Sequence, residues 1–411
     1  MISFRPLLVA LLSLQLFLSP LLAKDKAQQS PSSKPVTTAS KAPGAEVAKT
    51  LSTVTGVAIS PLMGTAALGA YKYFEAEDTP EAKAALPWYA QVKFWLPALL
   101  IVGLCALKDC GGIVVPPGLK KPFDVLETLE NKMSGLVAAG AVVPMTMDSL
   151  SKMIVADVHT HGPLSSGLAT ITMGAIDVSW ALNLLMVPLG VAVFFIVWMA
   201  SHTIHVLILL SPWGPVDAFL KGLRTSLIGL LAMTAAINPW LGALLSLLII
   251  VLAYFIAGWS FRLTVFGSIF CWDFLTGKQA RHDPKSAPNW VFSGSLMNNE
   301  GVPVRSYGQW RRGEGEQAGR WLFSYRPWLI GKTREVCIDP AHCELGRGFF
   351  YSSIRVEKGT WLTLSPRYRG HEDELVSLYQ ISGGVKPAGL RKAWSVLKEL
   401  FTGHEVNRQS A

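Results

Sequence analysis

Long apolar stretches constrain this chain most, because a bilayer offers no water to satisfy exposed backbone groups. Charged side chains make up 16% of the sequence, against about 25% in soluble globular proteins. They are sparse between Leu51 and Phe261, where Leu164–Leu210 is long enough for two helical crossings and Leu241–Trp259 is the most apolar segment. The fold class predicted is therefore mainly α: a polytopic transmembrane helix bundle over residues 51–275.

Two parts of this bundle repeat one pattern, in which a proline-bearing apolar helix and a polar break precede a Pro-x-Asp sequence that opens another helix. The first copy carries Pro97, Pro122 and Asp124, and the second carries Pro188, Pro215 and Asp217. Duplicated units often enclose a central site in membrane proteins. The pattern predicts an internal three-helix duplication.

The apolar segments predict six or seven spans. Seven spans, with an exported N-terminus, place the C-terminal domain in the cytoplasm and suit the positive-inside rule in the second half of the chain. Six spans require an uncleaved N-terminus inside the cell. Met145–Pro163 is predicted to be a polar break, and Phe261–Leu275 an amphipathic helix at the surface. The seven candidates are Leu51–Tyr71, Phe94–Leu107, Phe123–Val143, Leu164–Trp180, Leu184–Leu210, Val216–Ile237 and Leu241–Trp259.

Both ends of the chain differ from the bundle. Residues 1–23 have the short basic start and apolar centre of a signal peptide, and residues 24–50 have the Ser, Pro and Lys content of a disordered linker. Residues 276–385 contain short β-rich segments between Gly and Pro clusters, residues 386–402 form a predicted helix and 403–411 a tail. This element order resembles a pleckstrin-homology-like barrel.

Five polar residues of the predicted membrane domain are candidates for a transport pathway. Asp124 and Asp217 would each cap a helix N-terminus, and such an end can also face an ion or substrate. Asp177, His202 and His205 lie within apolar segments. The two histidines are three residues apart on one helical face, where hydrogen bonding between helices is favoured over metal binding.

The net charge of +9 points to anionic lipid as the partner. Lys221, Arg224 and Arg262 are candidate contacts for lipid headgroups, although such side chains also snorkel at interfaces without a specific ligand. The C-terminal domain could also bind a protein, whereas no nucleic-acid recognition motif is present. Cys337 and Cys343 could pair in an exported domain or remain thiols in the cytosol. Neither a catalytic signature nor a motif for a cofactor or metal is found.

Four short motifs resemble a bacterial membrane family catalogued as domain of unknown function 4126. The likeness covers roughly Leu51–Leu275 and implies a helical integral membrane domain, but no activity, cofactor or site residue. The motifs are Ile59–Gly64, Leu86–Tyr89, Lys121–Asp124 and Ser211–Asp217.

These patterns predict a multi-pass protein of the bacterial inner membrane. It would be a transporter, channel or lipid-handling protein with its pathway between the two repeats. The alternative is a non-catalytic scaffold whose basic C-terminal domain binds anionic lipid or a partner protein.

Overall fold

The computed structural model describes residues 43–110, 117–161, 179–211, 214–285, 288–348, 351–357 and 359–387. The predicted signal peptide, Asp177, most of the predicted Leu164–Trp180 span, nearly all of the predicted C-terminal helix and the tail lie outside these residues. The chain divides into two compact units. Unit 1 takes the described residues up to His205 together with Gly214–Ala257, and unit 2 takes Val206–Ser211 and the described residues from Gly258 onward.

Unit 1 is helical, and four helices of the described chain are long and apolar enough to cross a membrane. The four apolar segments are Asp124–Val155, Leu182–Leu210, Pro215–Ile237 and Pro239–Leu275, and Val92–Gly103 is a shorter one. These findings are consistent with a membrane protein. The helices are α1 (Pro43–Ile59), α2 (Pro61–Glu75), α3 (Pro80–Ala84), α4 (Val92–Cys110), α5 (Pro117–Val137), α6 (Val143–His161), α7 (Ser179–Leu210), α8 (Gly214–Ile237) and α9 (Pro239–Leu275).

The predicted first span, Leu51–Tyr71, is interrupted. Ser60 is extended, at φ −141° and ψ 93°, because the following proline disfavours the helical conformation at the residue before it. Helix α2 packs closely back on α1, and a Cβ on Gly64 would lie 2.6 Å from the Cα of Val57. Helix α1 also begins at Pro43, so residues 43–50 are helical rather than part of the predicted linker.

Two further boundaries differ from the sequence prediction. The first is the predicted polar break over Met145–Pro163, which is wrong as far as His161. A π-helical turn, Ala138–Val142, joins α5 to α6, and α6 continues as a helix to His161. Helix α9 likewise runs unbroken through Ser260, where we expected one helix to end and another to begin. In both places the hydropathy changes along a continuous helix, so the change in polarity was wrongly interpreted as the end of a helix.

The core of unit 1 forms where α1, α6, α7 and α8 meet. Small residues on the π turn, such as Ala138 and Ala139, pack with Val54 and Phe194 in one buried cluster. Gly135 allows Trp198 to lie directly against α5, since a Cβ there would be 2.4 Å from the indole nitrogen. Large apolar side chains such as Leu184, Leu244 and Phe255 are exposed on the long helices, as in helices that face lipid.

In the part of unit 2 that the structure describes, a mixed sheet has eight strands in the order β4-β3-β2-β1-β7-β6-β5-β8, antiparallel except where β8 runs parallel to β5. Short β-rich segments were expected here, whereas β5, β8 and the helix α10 (Glu372–Tyr379) were not. The strands are β1 (Asn289–Ser293), β2 (Tyr307–Arg312), β3 (Trp321–Tyr325), β4 (Arg334–Ile338), β5 (Glu344–Arg347), β6 (Ser353–Val356), β7 (Gly359–Thr363) and β8 (Val385–Pro387).

The second half of α9 belongs to the core of unit 2. The ring of Phe266 lies 4.6 Å from that of Phe292 on β1, and Leu263 and Phe270 are buried. The prediction that Phe261–Leu275 lies at the surface is therefore wrong. Its amphipathic pattern reflects one face packed on the sheet rather than a helix resting on a bilayer.

Cys337 and Cys343 are both free thiols. Burial, and then the charge of Asp339, raises the pKa of Cys343 to about 11, so this thiol stays protonated and unreactive near neutral pH.

A buried ion pair fixes the end of α9 in unit 2. Asp273 accepts hydrogen bonds from Nε of Arg367 at 2.8 Å and from Nη2 at 2.7 Å. We expect Asp273→Asn to lower the free energy of unfolding by about 3–5 kcal/mol, because it leaves a buried guanidinium uncompensated. Thermal and denaturant unfolding in detergent would measure this loss.

The control is Glu335→Gln, which breaks the exposed pair of Arg311 and Glu335. An exposed pair contributes about 0.2–1 kcal/mol, so this variant should remain close to wild type. Equal losses in the two variants would contradict the assignment of Asp273 as the anchor.

Candidate functional site

The candidate site in unit 1 begins at the break after α1. The last carbonyls of a helix have no donor within the helix, and in an apolar environment they must find one elsewhere. The Ile59 carbonyl accepts a hydrogen bond from Oγ of Ser201 at 2.5 Å and one from Nε of Arg224 at 2.9 Å. Helices α7 and α8 therefore supply the donors that the broken helix lacks.

Arg224 connects this helix end to an ionic network. Its Nη1 donates to Nε2 of His205. The charge of the guanidinium is also attracted by Glu127 and Glu130 on α5. One arginine thus links the C-terminal end of α1, a histidine of α7 and two carboxylates of α5.

Glu127 lies at the centre of this network. Its Oε2 accepts a hydrogen bond from Nζ of Lys221 at 2.9 Å, and its Oε1 lies 3.9 Å from Nδ1 of His205. The Glu127 and Lys221 side chains are only 17% and 18% exposed, so solvent screens the pair less than a surface pair. Two acidic and two basic side chains, Glu127, Glu130, Lys221 and Arg224, balance the charge of the network.

The hydrogen bond from Arg224 assigns the tautomer of His205. A guanidinium has no acceptor, so Nε2 of His205 must accept and the ring proton lies on Nδ1. That proton faces Glu127. The neutral imidazole therefore accepts from a cation at one nitrogen and presents its only proton to a carboxylate at the other, so it orients both groups.

His202 lies on α7 one turn before His205. Its Nδ1 contacts Oδ1 of Asn131 at 2.8 Å, and its ring stacks on Trp198 with centroids 5.1 Å apart. The side chain is fully buried, and Nε2 has no hydrogen-bond partner within the described part of the chain. The sequence-based preference for helix-to-helix hydrogen bonding fits this geometry.

A polar stripe on α5 brings the acidic and amide groups to the site. Glu127, Thr128 and Asn131 follow Asp124 at steps of three and four, which places all four on one helical face. Glu127, Glu130 and Asn131 were not singled out from the sequence, because the charged first half of this helix was considered only as part of the Phe123–Val143 span. The spacing of the stripe, which opposes the apolar face, was the signal available.

The candidate residues fall in different places. Asp217 lies buried in the first turn of α8, inside the helix rather than at its N-cap, where the helix dipole favours a carboxylate. Asp124 is buried too, but α5 already begins at Pro117, so the prediction that Asp124 caps that helix is wrong. Lys221 and Arg224 bind partners within unit 1, and Arg262 belongs to unit 2, where its Nε donates to the Val304 carbonyl. The matching of Asp124 with Asp217 in a duplicated site stays a prediction.

Within the described residues, no group of three or more His, Cys, Asp and Glu side chains is arranged to hold a metal ion. Comparisons with known proteins add no assignment: no family model, no curated protein and no solved structure matches this chain.

Because the Glu127–Lys221 pair is mostly buried, its two members should be energetically coupled. We expect Glu127→Gln and Lys221→Gln to destabilise the protein individually, and the double variant to lose about 1–3 kcal/mol less than the sum. A double-mutant cycle on the free energy of unfolding in mixed detergent micelles measures this coupling.

Asp148 and Lys152 on α6 provide a matched control in the same unit. Their side chains are 38% and 66% exposed, and such an i, i+4 pair contributes about 0.3–0.5 kcal/mol. Coupling for Glu127–Lys221 no larger than this control value would contradict a tightly coupled network.

Proposed function

We propose that this protein transports protons across a membrane, alone or together with a solute, along a pathway that passes Glu127 and His205 in unit 1. The observation that carries the proposal is the continuous contact from Lys221 through Glu127 and His205 to Arg224 among apolar helices. Glutamate and histidine chains at membrane depth are the usual elements of proton relays.

Stability alone is a weak reason for this network. A charged side chain at the centre of a membrane helix costs about 2.5–3.5 kcal/mol on insertion scales. A buried ion pair seldom recovers more than its desolvation cost. Ser201 already provides one donor for the Ile59 carbonyl, so capping α1 does not by itself require a cation and two carboxylates.

Protonation offers a way to couple chemistry to motion here. A proton on Glu127 would cancel the charge that attracts Lys221 and Arg224, which both lie on α8. The contact between α5 and α8 would then weaken. The carrier of the proton is therefore Glu127, which would take it from a water molecule and return it to one. His205 is neutral and accepts from Arg224 at Nε2, so it keeps its Nδ1 proton and orients the carboxylate, whose Oε1 lies 3.9 Å away.

We also propose how the protein is arranged in the membrane. The protein would be a multi-pass protein of the bacterial inner membrane with six or seven spans, derived from an internal duplication and related to the family that its motifs resemble. Unit 2 would be a pleckstrin-homology-like domain in the cytoplasm. The four apolar helices and the mixed sheet support the coarser outline.

Reconstituted vesicles test the transport proposal. With a potassium gradient and valinomycin as the driving force, wild type should carry protons faster than protein-free vesicles, as an entrapped pH dye would report. Glu127→Gln should reduce the protein-dependent rate by roughly 100-fold or more, because a positioned proton carrier is lost.

Lys152→Gln is the control, because Lys152 is an exposed residue of the same unit. It should transport at the wild-type rate at equal protein content. Wild-type vesicles no faster than protein-free vesicles, or undiminished flux in Glu127→Gln, would reject a proton pathway at this site and favour the scaffold alternative.

Reporter fusions test the proposed topology. Because Arg262, Lys278 and Arg281 follow the last apolar run and favour the inside, fusions after Gly277 and Ser410 should both be active only with a cytoplasmic reporter. Activity with an exported alkaline phosphatase at either position would place unit 2 outside and would overturn the cytoplasmic assignment.

A further inference from the structure

A basic pocket of about 130 Å³ lies in unit 2 between the second half of α9 and two loops of the sheet. The β1–β2 connection forms one wall and the β3–β4 connection forms another. Four arginines line the pocket, and none of its lining residues, all of them described, is acidic. They are Arg262, Arg305, Arg326 and Arg334.

The lining of the pocket holds four guanidinium groups and no carboxylate. The charge of Arg305 lies close enough to repel that of Arg262. Two internal contacts fix side chains at the rim: Arg262 donates to the Val304 carbonyl, and Nε of Arg326 donates to the Thr333 hydroxyl at 3.1 Å. Planar guanidinium groups that line one pocket suit a phosphate, which each can bind through two hydrogen bonds.

Beside the pocket, the β3–β4 loop presents three large apolar side chains outward. Trp328, Leu329 and Ile330 are 53%, 46% and 77% exposed. Trp328 and Leu329 also have positive φ angles of 57° and 62°, which are uncommon for residues other than glycine. This strained loop leaves apolar surface exposed next to a cationic pocket, as expected of a segment that enters a lipid interface.

The loop lies against the end of a long uncharged helical run. Helix α9 has no charged residue from Pro239 to Phe261, and Arg262 is the first. At 1.5 Å per residue this run is long enough to cross a hydrocarbon core of about 30 Å, so Arg262 falls at headgroup level. Within unit 2, the ring of Trp328 packs 4.9 Å from that of Phe261. The loop and the pocket therefore lie at the level where headgroup phosphates occur.

We propose that this pocket binds the headgroup phosphate of an anionic phospholipid, while Trp328, Leu329 and Ile330 contact the start of its acyl chains. Charge complementarity selects an anion, and the neighbouring apolar loop selects a lipid rather than free phosphate. The site is independent of the proton pathway proposed for unit 1.

Native mass spectrometry of the full-length protein in a neutral detergent tests the site. Wild type should bind phosphatidylglycerol at least tenfold more tightly than phosphatidylcholine. The double variant Arg326→Gln/Arg334→Gln should bind phosphatidylglycerol about 30-fold more weakly, since each arginine near a lipid surface contributes about a fivefold change. The effect on phosphatidylcholine should be small.

A charge-matched control is Arg320→Gln/Arg369→Gln. Both residues are exposed in unit 2 and neither lines the pocket. This variant should keep wild-type affinity for phosphatidylglycerol. Equal losses in the two double variants would show attraction by net charge alone and would overturn the proposal, as would equal affinity of wild type for the two lipids.

Competition with inorganic phosphate in large excess distinguishes a lipid headgroup from free phosphate as the ligand. It should not displace phosphatidylglycerol, because it lacks the acyl chains that contact the loop; displacement would assign the pocket to free phosphate instead. If the lipid-free double variant melts below wild type, the single variants Arg326→Gln and Arg334→Gln replace it, each with an expected loss of about fivefold.

Discussion

The carbonyl of Ile59 is the constraint on which the arrangement of unit 1 depends. Ser60 and Pro61 end α1 among apolar helices, where an unsatisfied carbonyl costs several kcal/mol. The carbonyl obtains donors from Ser201 and Arg224, so α7 and α8 must both reach the same point. A local effect of proline on the preceding residue thus determines which helices meet at the centre of the unit.

Satisfying that carbonyl with a guanidinium has consequences for the rest of the site. The charge of Arg224 has to be balanced in an apolar surrounding, and the polar stripe of α5 supplies Glu127 and Glu130. Glu127 then also attracts Lys221, while His205 is held as the neutral tautomer between the arginine and the carboxylate. The need to satisfy a buried carbonyl explains the hydrogen bond from Arg224 to Ile59. The remaining contacts form a connected set of titratable groups, and this set is the physical basis for proposing proton movement.

The sequence revealed those parts of the fold that follow from local pattern. Continuous apolar runs identified α7, α8 and the first half of α9, and alternation identified strands such as Trp321–Tyr325. Only part of the network was predicted. Candidates from the sequence included His202, His205, Lys221 and Arg224, which are polar residues in apolar helices. Glu127 was not a candidate, because its partners lie 78 to 97 positions away in the sequence. The strands β5 and β8 escaped notice because they are three or four residues long, and a parallel pairing between distant segments leaves no local signal.

Helix α9 shows why a change in polarity is a poor marker of helix ends in such a chain. Its first part has apolar side chains on every face, as lipid contact requires, and its second part has apolar residues on the face that packs on the sheet. The backbone continues because the environment of the side chains changes while their helical propensity does not. Arg262 stands at this transition, where a cation can remain hydrated or meet a phosphate, so the first charged residue after the uncharged run is also the one from which the basic pocket of unit 2 begins.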